Sequence, residues 1–118
     1  DQARVAVDAL SIGVSRCVSL SHPTSGFGWD THEDNDDDQS PLWEGLFDGL
    51  NELMTLLDAT PGQSTPTLAE ETMVVVLSEM GRTPQLNSSD GKDHWPYTSA
   101  MVMGPGLKFA RIFEGNAQ

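Results

Sequence analysis

The run Met73-Val74-Val75-Val76-Leu77 most constrains what this chain can fold into. Five consecutive apolar residues, three of them β-branched, are too few for an ordinary helix and lack the alternation of a strand with one wet face. They predict a strand buried on both faces, as in a parallel sheet. Side chains that bind or react gather just past the carboxyl ends of such strands. Ser78, Glu79 and Arg82 occupy that place, and residues 81–96 follow as a long polar loop ending in Asp93-His94-Trp95-Pro96. Loops of that length inside a compact domain are often functional.

The chain before this strand reads as the helix and strand of an α/β unit. Residues 2–13 are an amphipathic helix, with Ala3, Ala6, Val7 and Leu10 at helical spacing and Gly13 as its stop. Residues 16–21 (RCVSLS) read as a short strand closed by His22-Pro23, and residues 21–39 as a polar loop. Ser40-Pro41 suits an N-cap followed by proline at the first helical position. The helix it opens runs to about Asp58 and carries a stripe of Leu42, Trp43, Leu46, Phe47, Leu50, Leu53, Met54 and Leu57, expected to pack on a sheet. Gly45 and Gly49, four apart on this helix, weaken it slightly or let a neighbour approach closely. A connector (residues 59–66) and a partial helix (residues 67–71) lead into the apolar run. Residues 99–103 form a second strand, and residues 107–113 an edge strand or hairpin return.

Charge and composition narrow the partners. The chain has 118 residues, enough for one small domain, and a formal net charge of −12. That charge argues against a nucleic-acid backbone as partner. It is compatible with cation binding, although solubility is its plainer consequence. Cys17 is the only cysteine, which excludes an internal disulfide and a thiolate-rich zinc site. No apolar run is long enough to span a membrane. The acidic run from Glu33 to Asp38 invites an EF-hand reading, but Gln39 stands where the turn glycine belongs and Gly45 where the bidentate glutamate belongs. It reads as a solvated loop, with a weak Ca²⁺-binding loop module as a minor alternative.

The residues able to carry chemistry lie in loops after expected strands. Asp30 and His32, two apart, point to one side of an extended backbone and can share a cation. Glu79 can be a metal ligand, a general base or the ion-pair partner of Arg82. Asp93 and His94 add a carboxylate and an imidazole. Taken together, Asp30, His32, Glu79, Asp93 and His94 form a ligand set of oxygen and imidazole donors suited to Zn²⁺, Mn²⁺, Fe²⁺ or Mg²⁺. Arg82, as a planar fork, can hold a tetrahedral oxyanion as a catalytic contact. No nucleophile elbow, P-loop or dinucleotide fingerprint is legible.

Gly28-Trp29-Asp30-Thr31-His32, then Ser78-Glu79-Met80-Gly81-Arg82-Thr83-Pro84, then Gly91-Lys92-Asp93-His94-Trp95-Pro96 resemble the signature blocks of the DUF1501 proteins, of the alkaline phosphatase/sulfatase-like superfamily. Met80 departs from the aromatic residue usual at its position. The resemblance implies an alkaline-phosphatase-like three-layer α/β/α sandwich with a mostly parallel sheet, of which residues 1–118 are the C-terminal part. It implies two divalent metal ions (Zn, Mn or similar) and a phosphate or sulfate ester as substrate, small or polymer-borne. It also implies that the nucleophile and the remaining ligands belong to chain preceding Asp1. The expected function is that of a metal-dependent hydrolase-like domain. The alternative is a non-catalytic metal- or ligand-binding protein that reuses the fold.

Overall fold

The computed structural model of the protein describes residues 2–22, 24 and 28–107. Helix α1 (Gln2–Ser11) buries Ala3, Ala6 and Val7 along one face. It closes at Gly13, whose φ is 72° and whose N–H bonds the Leu10 carbonyl at 3.1 Å. Helix α2 (Asn35–Ala59) packs on it through Leu53 and Leu57, and Leu68 from a 3-10 turn (Leu68–Glu70) closes the core. A capping box between Thr67 and Glu70 secures that turn. Leu57 is 1% exposed, in a core built from few side chains. Leu57→Ala is expected to lower stability by about 3 kcal/mol, read as a fall in the urea midpoint at unchanged slope.

The stripe of α2 therefore buries against a helix and a turn, not against a sheet. Its C-terminal half is in the core, while Trp43 and Phe47 are exposed. The helix also begins earlier than Ser40-Pro41 implies. Only Glu33 and Asp34 of the acidic run precede the helix: Asp36, Asp37 and Asp38 form its first turn, where carboxylates complement the positive end of the helix dipole. Pro41 lies inside the helix, and the Ser40 hydroxyl bonds back to the Asp36 carbonyl. The early start has a tertiary cause. The backbone N–H groups of Asp34 and Asn35, which a helix N-terminus leaves without internal partners, donate to the carbonyls of Ser89 and Asp90 at 3.1 and 2.9 Å.

Strand β1 (Val74–Leu77) pairs antiparallel with β4 (Ala100–Met103), from Val74 opposite Met103 to Leu77 opposite Ala100. Within the connection, β2 (Gly81–Arg82) pairs antiparallel with β3 (His94–Trp95). The two pairs nest as one interrupted hairpin. Three residues (78–80) separate the pairs on the outgoing side and four (96–99) on the return, so the return side carries a bulge-like extra residue. Thr83 N–H to the Asp93 carbonyl, 2.9 Å, continues the ladder, and residues 84–92 form the tip.

This architecture overturns the expected alkaline-phosphatase-like sandwich. Among the described residues there are two short antiparallel two-stranded sheets, no parallel sheet, and no layer of helices on each side of one. A parallel pair needs a crossover, usually a helix, between its strands. Here the connection from β1 to β4 folds back on itself as a second antiparallel pair. Nor is the apolar run buried on both faces: Val75 is 50% and Leu77 71% exposed. The expected strand over residues 16–21 is absent too. A strand exists only through its ladder, and this segment finds no pairing partner among the described residues. The expected strand over residues 107–113 lies, after Leu107, outside the described residues.

Candidate metal centre

The tip of the hairpin docks on the Trp29-Asp30-Thr31-His32 segment through its backbone. Lys92 N–H donates to the Thr31 carbonyl at 3.0 Å, and the Asn87 side-chain Nδ2 adds a bond to the His32 carbonyl at 3.0 Å. Glu33 and Asp90 form a bridge beside them. The approach is close enough that Gly91 admits no side chain: a Cβ there would lie 1.9 Å from the carbonyl carbon and oxygen of His32. Thr31, 3% exposed, anchors the other side. Its hydroxyl donates to Asn35 at 2.8 Å and accepts from Gln39 at 2.9 Å, tying the segment to the first turns of α2.

Docking brings His94 to the neighbouring pair Asp30 and His32, so that three side chains from two distant parts of the chain meet at one point. Asp30 Oδ1 lies 3.2 Å from His32 Nε2 and 2.9 Å from His94 Nε2, and the two Nε2 atoms are 3.2 Å apart. His94 reaches this point because it sits on β3 directly opposite Arg82 on β2. All three side chains are about half exposed, so one side of the triangle faces solvent.

Two further residues hold the triangle. Asp93 Oδ1 lies 3.1 Å from His32 Nδ1, and the Asn87 amide donates to the same carboxylate at 3.3 Å. With Nδ1–H directed at Asp93, a neutral His32 presents its Nε2 lone pair to the centre. Arg82 lies beneath. Its Nη2 donates to Asp30 Oδ1 and to the Trp29 carbonyl, and its Nη1 donates to the Lys92 carbonyl at 2.8 Å. These contacts set the ionisation. The hydrogen bond from His94, then that from Arg82, lower the Asp30 pKa from 3.8 to about 2. Asp93 is likewise lowered, by His32 first and then Asn87. Both carboxylates are anionic at neutral pH.

Residues 6–113 match the protein family described as "Protein of unknown function (DUF1501)". The chain belongs to the DUF1501 family. No curated protein and no solved structure matches it.

The donor set of this DUF1501 chain fits a small divalent cation. Ligand atoms about 2.0–2.1 Å from the ion stand roughly 2.8–3.0 Å from one another in an octahedral shell and roughly 3.3–3.4 Å in a tetrahedral one. The triangle edges of 2.9–3.2 Å lie within the range that these shells span. A proton on either imidazole satisfies one edge, whereas a divalent cation satisfies all three at once. Three protein donors with an open fourth side is the arrangement of sites that also admit water or substrate.

The remaining residues singled out from the sequence lie elsewhere. Glu79 is exposed at a bend after β1, outside the group of Asp30, His32 and His94, and makes no ion pair with Arg82. The Ser78 hydroxyl donates to the Met80 carbonyl. Thr31, Asn35, Gln39 and Asn87 were not legible as site residues. The one local signal was Asn87-Ser88-Ser89-Asp90-Gly91, a turn-rich stretch in which the Asn87 side chain caps the backbone N–H groups of Ser89 and Gly91 at 2.9 and 3.0 Å. No helix among the described residues is long and apolar enough to cross a membrane.

Proposed function

We propose that this DUF1501 chain holds a divalent transition-metal ion between Asp30, His32 and His94, and that the site belongs to a metal-dependent hydrolase-like domain acting on phosphate or sulfate esters. The observation that carries the metal reading is the convergence of one anionic oxygen and two imidazole nitrogens within 3.2 Å of one another, open on one side. The ester class rests only on the resemblance of the three motif blocks to DUF1501 proteins and on the phosphatase/sulfatase-like superfamily which that resemblance implies. An ion bound there would act as a Lewis acid on a phosphoryl or sulfuryl oxygen and acidify a bound water. Asp93 keeps the His32 lone pair aimed at the ion, and Arg82 holds the Asp30 carboxylate in place.

A second reading, a metal-binding protein without turnover, is favoured by one observation. The Arg82 guanidinium is occupied by Asp30 and two backbone carbonyls, so it is not directed at an oxyanion on the open side. One experiment separates the readings. The full-length protein, stripped with chelator and reloaded with Zn²⁺ or Mn²⁺, is assayed by elemental analysis and by turnover of 4-nitrophenyl phosphate and 4-nitrophenyl sulfate. Stoichiometric metal with metal-dependent turnover is the expected result. Bound metal without turnover selects the second reading, and absence of stoichiometric metal sinks both.

A further inference from the structure

We propose that Gln39 is a positioning residue for the metal centre, holding Asp30 in place through its chain neighbours, a role that rests on the metal reading and not on the ester class. One nitrogen does this. Gln39 Nε2 donates to the Thr31 hydroxyl at 2.9 Å and to the Trp29 carbonyl at 3.4 Å, so the residues on both sides of Asp30 are tied to a single side chain of α2. Gln39 is not one of the three donors and acts through the segment that carries two of them.

The direction of each bond is fixed. The Trp43 indole N–H can only donate, and it donates to Gln39 Oε1 at 3.3 Å. The Trp29 carbonyl can only accept, so the amide nitrogen of Gln39 faces it. Thr31, having accepted from Gln39, donates its own proton to Asn35 Oδ1 at 2.8 Å. Asn35 in turn donates to the Asp36 carboxylate at 3.1 Å. The bonds thus run one way, from Trp43 through Gln39, Thr31 and Asn35 to Asp36. Thr31 and Asn35 are 3% and 6% exposed, so bulk water does not replace a partner that either of them loses.

The start of α2 carries the same requirement in its sequence. Asn35-Asp36-Asp37-Asp38-Gln39 places two amides four apart on one helix face, with three carboxylates between them. A carboxylate at position 39 could accept from Trp43 but has no proton for Thr31 or for the Trp29 carbonyl. It would also set an anion against that carbonyl oxygen. The other half of the centre is held one turn earlier, where the Asn35 N–H donates to the Asp90 carbonyl of the hairpin tip at 2.9 Å. Helix α2 thereby spaces the segment bearing Asp30 and His32 against the hairpin bearing His94.

The test is a titration of the full-length protein with Co²⁺, whose visible absorption reports the arrangement of its ligands. Gln39→Glu, nearly isosteric, is expected to lower Co²⁺ affinity about 10–100-fold and to shift the absorption bands. Thr31→Val is expected to do the same, and Thr31→Ser, which keeps the hydroxyl, to recover affinity. Leu57→Ala weakens the core away from these bonds, so its folded form is expected to keep the wild-type spectrum, which separates positioning from a general loss of stability. A second measurement needs no metal. In chelator, the Lys92 amide, which donates to the Thr31 carbonyl, is expected to exchange its hydrogen about tenfold faster in Gln39→Glu than in wild type. Wild-type affinity and spectrum in Gln39→Glu would overturn the proposal, as would a loss in Thr31→Ser equal to that in Thr31→Val. A wild-type protein that binds no Co²⁺ would defeat the metal reading, and the Lys92 exchange rate would then decide alone whether Gln39 fixes the Asp30 segment.

Discussion

His94→Ala and His32→Ala are each expected to lower divalent-metal affinity by more than the roughly 10–100-fold that loss of a residue supporting a metal ligand produces. Each removes one of only three donors, and no other described carboxylate or imidazole joins the group. The expected order of effects follows from the contacts. Asp93→Asn, which weakens the hold on His32 Nδ1, falls within that 10–100-fold range. Glu79→Ala, at an exposed position outside the group, leaves affinity unchanged. Both histidines are about half exposed, so the alanine variants keep their thermal stability to within about 0.5 kcal/mol. Calorimetric titration with Zn²⁺ and Mn²⁺, alongside thermal melts, measures both quantities. Wild-type affinity in His94→Ala would refute the assignment, and a loss in Glu79→Ala would show that the described triangle is not the whole ligand set.

The second large effect is at Gly91. Its Cβ would lie 1.9 Å from the backbone of His32, and a backbone carbonyl cannot swing aside as a flexible side chain can. Gly91→Ala therefore separates the hairpin tip from the segment that carries Asp30 and His32. The expected loss of stability is about 3 kcal/mol, the upper part of the usual range for overpacking. Metal binding is expected to fall with it, because His94 and Asp93 belong to the hairpin while Asp30 and His32 do not. Gly106→Ala is a suitable comparison for the added methyl, since no atom of the described residues, its chain neighbours apart, would lie within 4 Å of its Cβ, although its φ of 81° brings some strain of its own. Urea unfolding and metal titration of the same samples check both effects. A Gly91→Ala variant with wild-type stability and wild-type affinity would show that this close approach does not hold the site together.

Several parts of the fold were legible because they depend on short-range pattern. The helical spacing of Ala3, Ala6 and Val7 marks the buried face of α1, and the apolar runs around Val74–Leu77 and Ala100–Met103 mark the two longer strands. Their direction was not legible. A continuous apolar run is common to parallel strands and to strands whose outer face is left exposed, and only the partner decides between them. The start of α2 misled for a related reason. Ser40-Pro41 is a strong local signal, yet carbonyls of Ser89 and Asp90 offered acceptors to N–H groups earlier in the chain.

The same division runs through the site. By itself, the sequence determined which donors exist: carboxylates at positions 30 and 93, imidazoles at 32 and 94, a guanidinium at 82, and no thiolate near them. The spacing of Asp30 and His32 already placed two of them within reach of each other. Only the tertiary structure decided that Asp93 faces His32, that Arg82 holds Asp30, and that Glu79 stands outside the group. Those outcomes turn on the register of β2 against β3 and on the close backbone approach at Gly91, which are long-range contacts. A local pattern specifies which side chains are available, whereas shifts of an ångström or two in how distant segments dock decide which of their atoms meet.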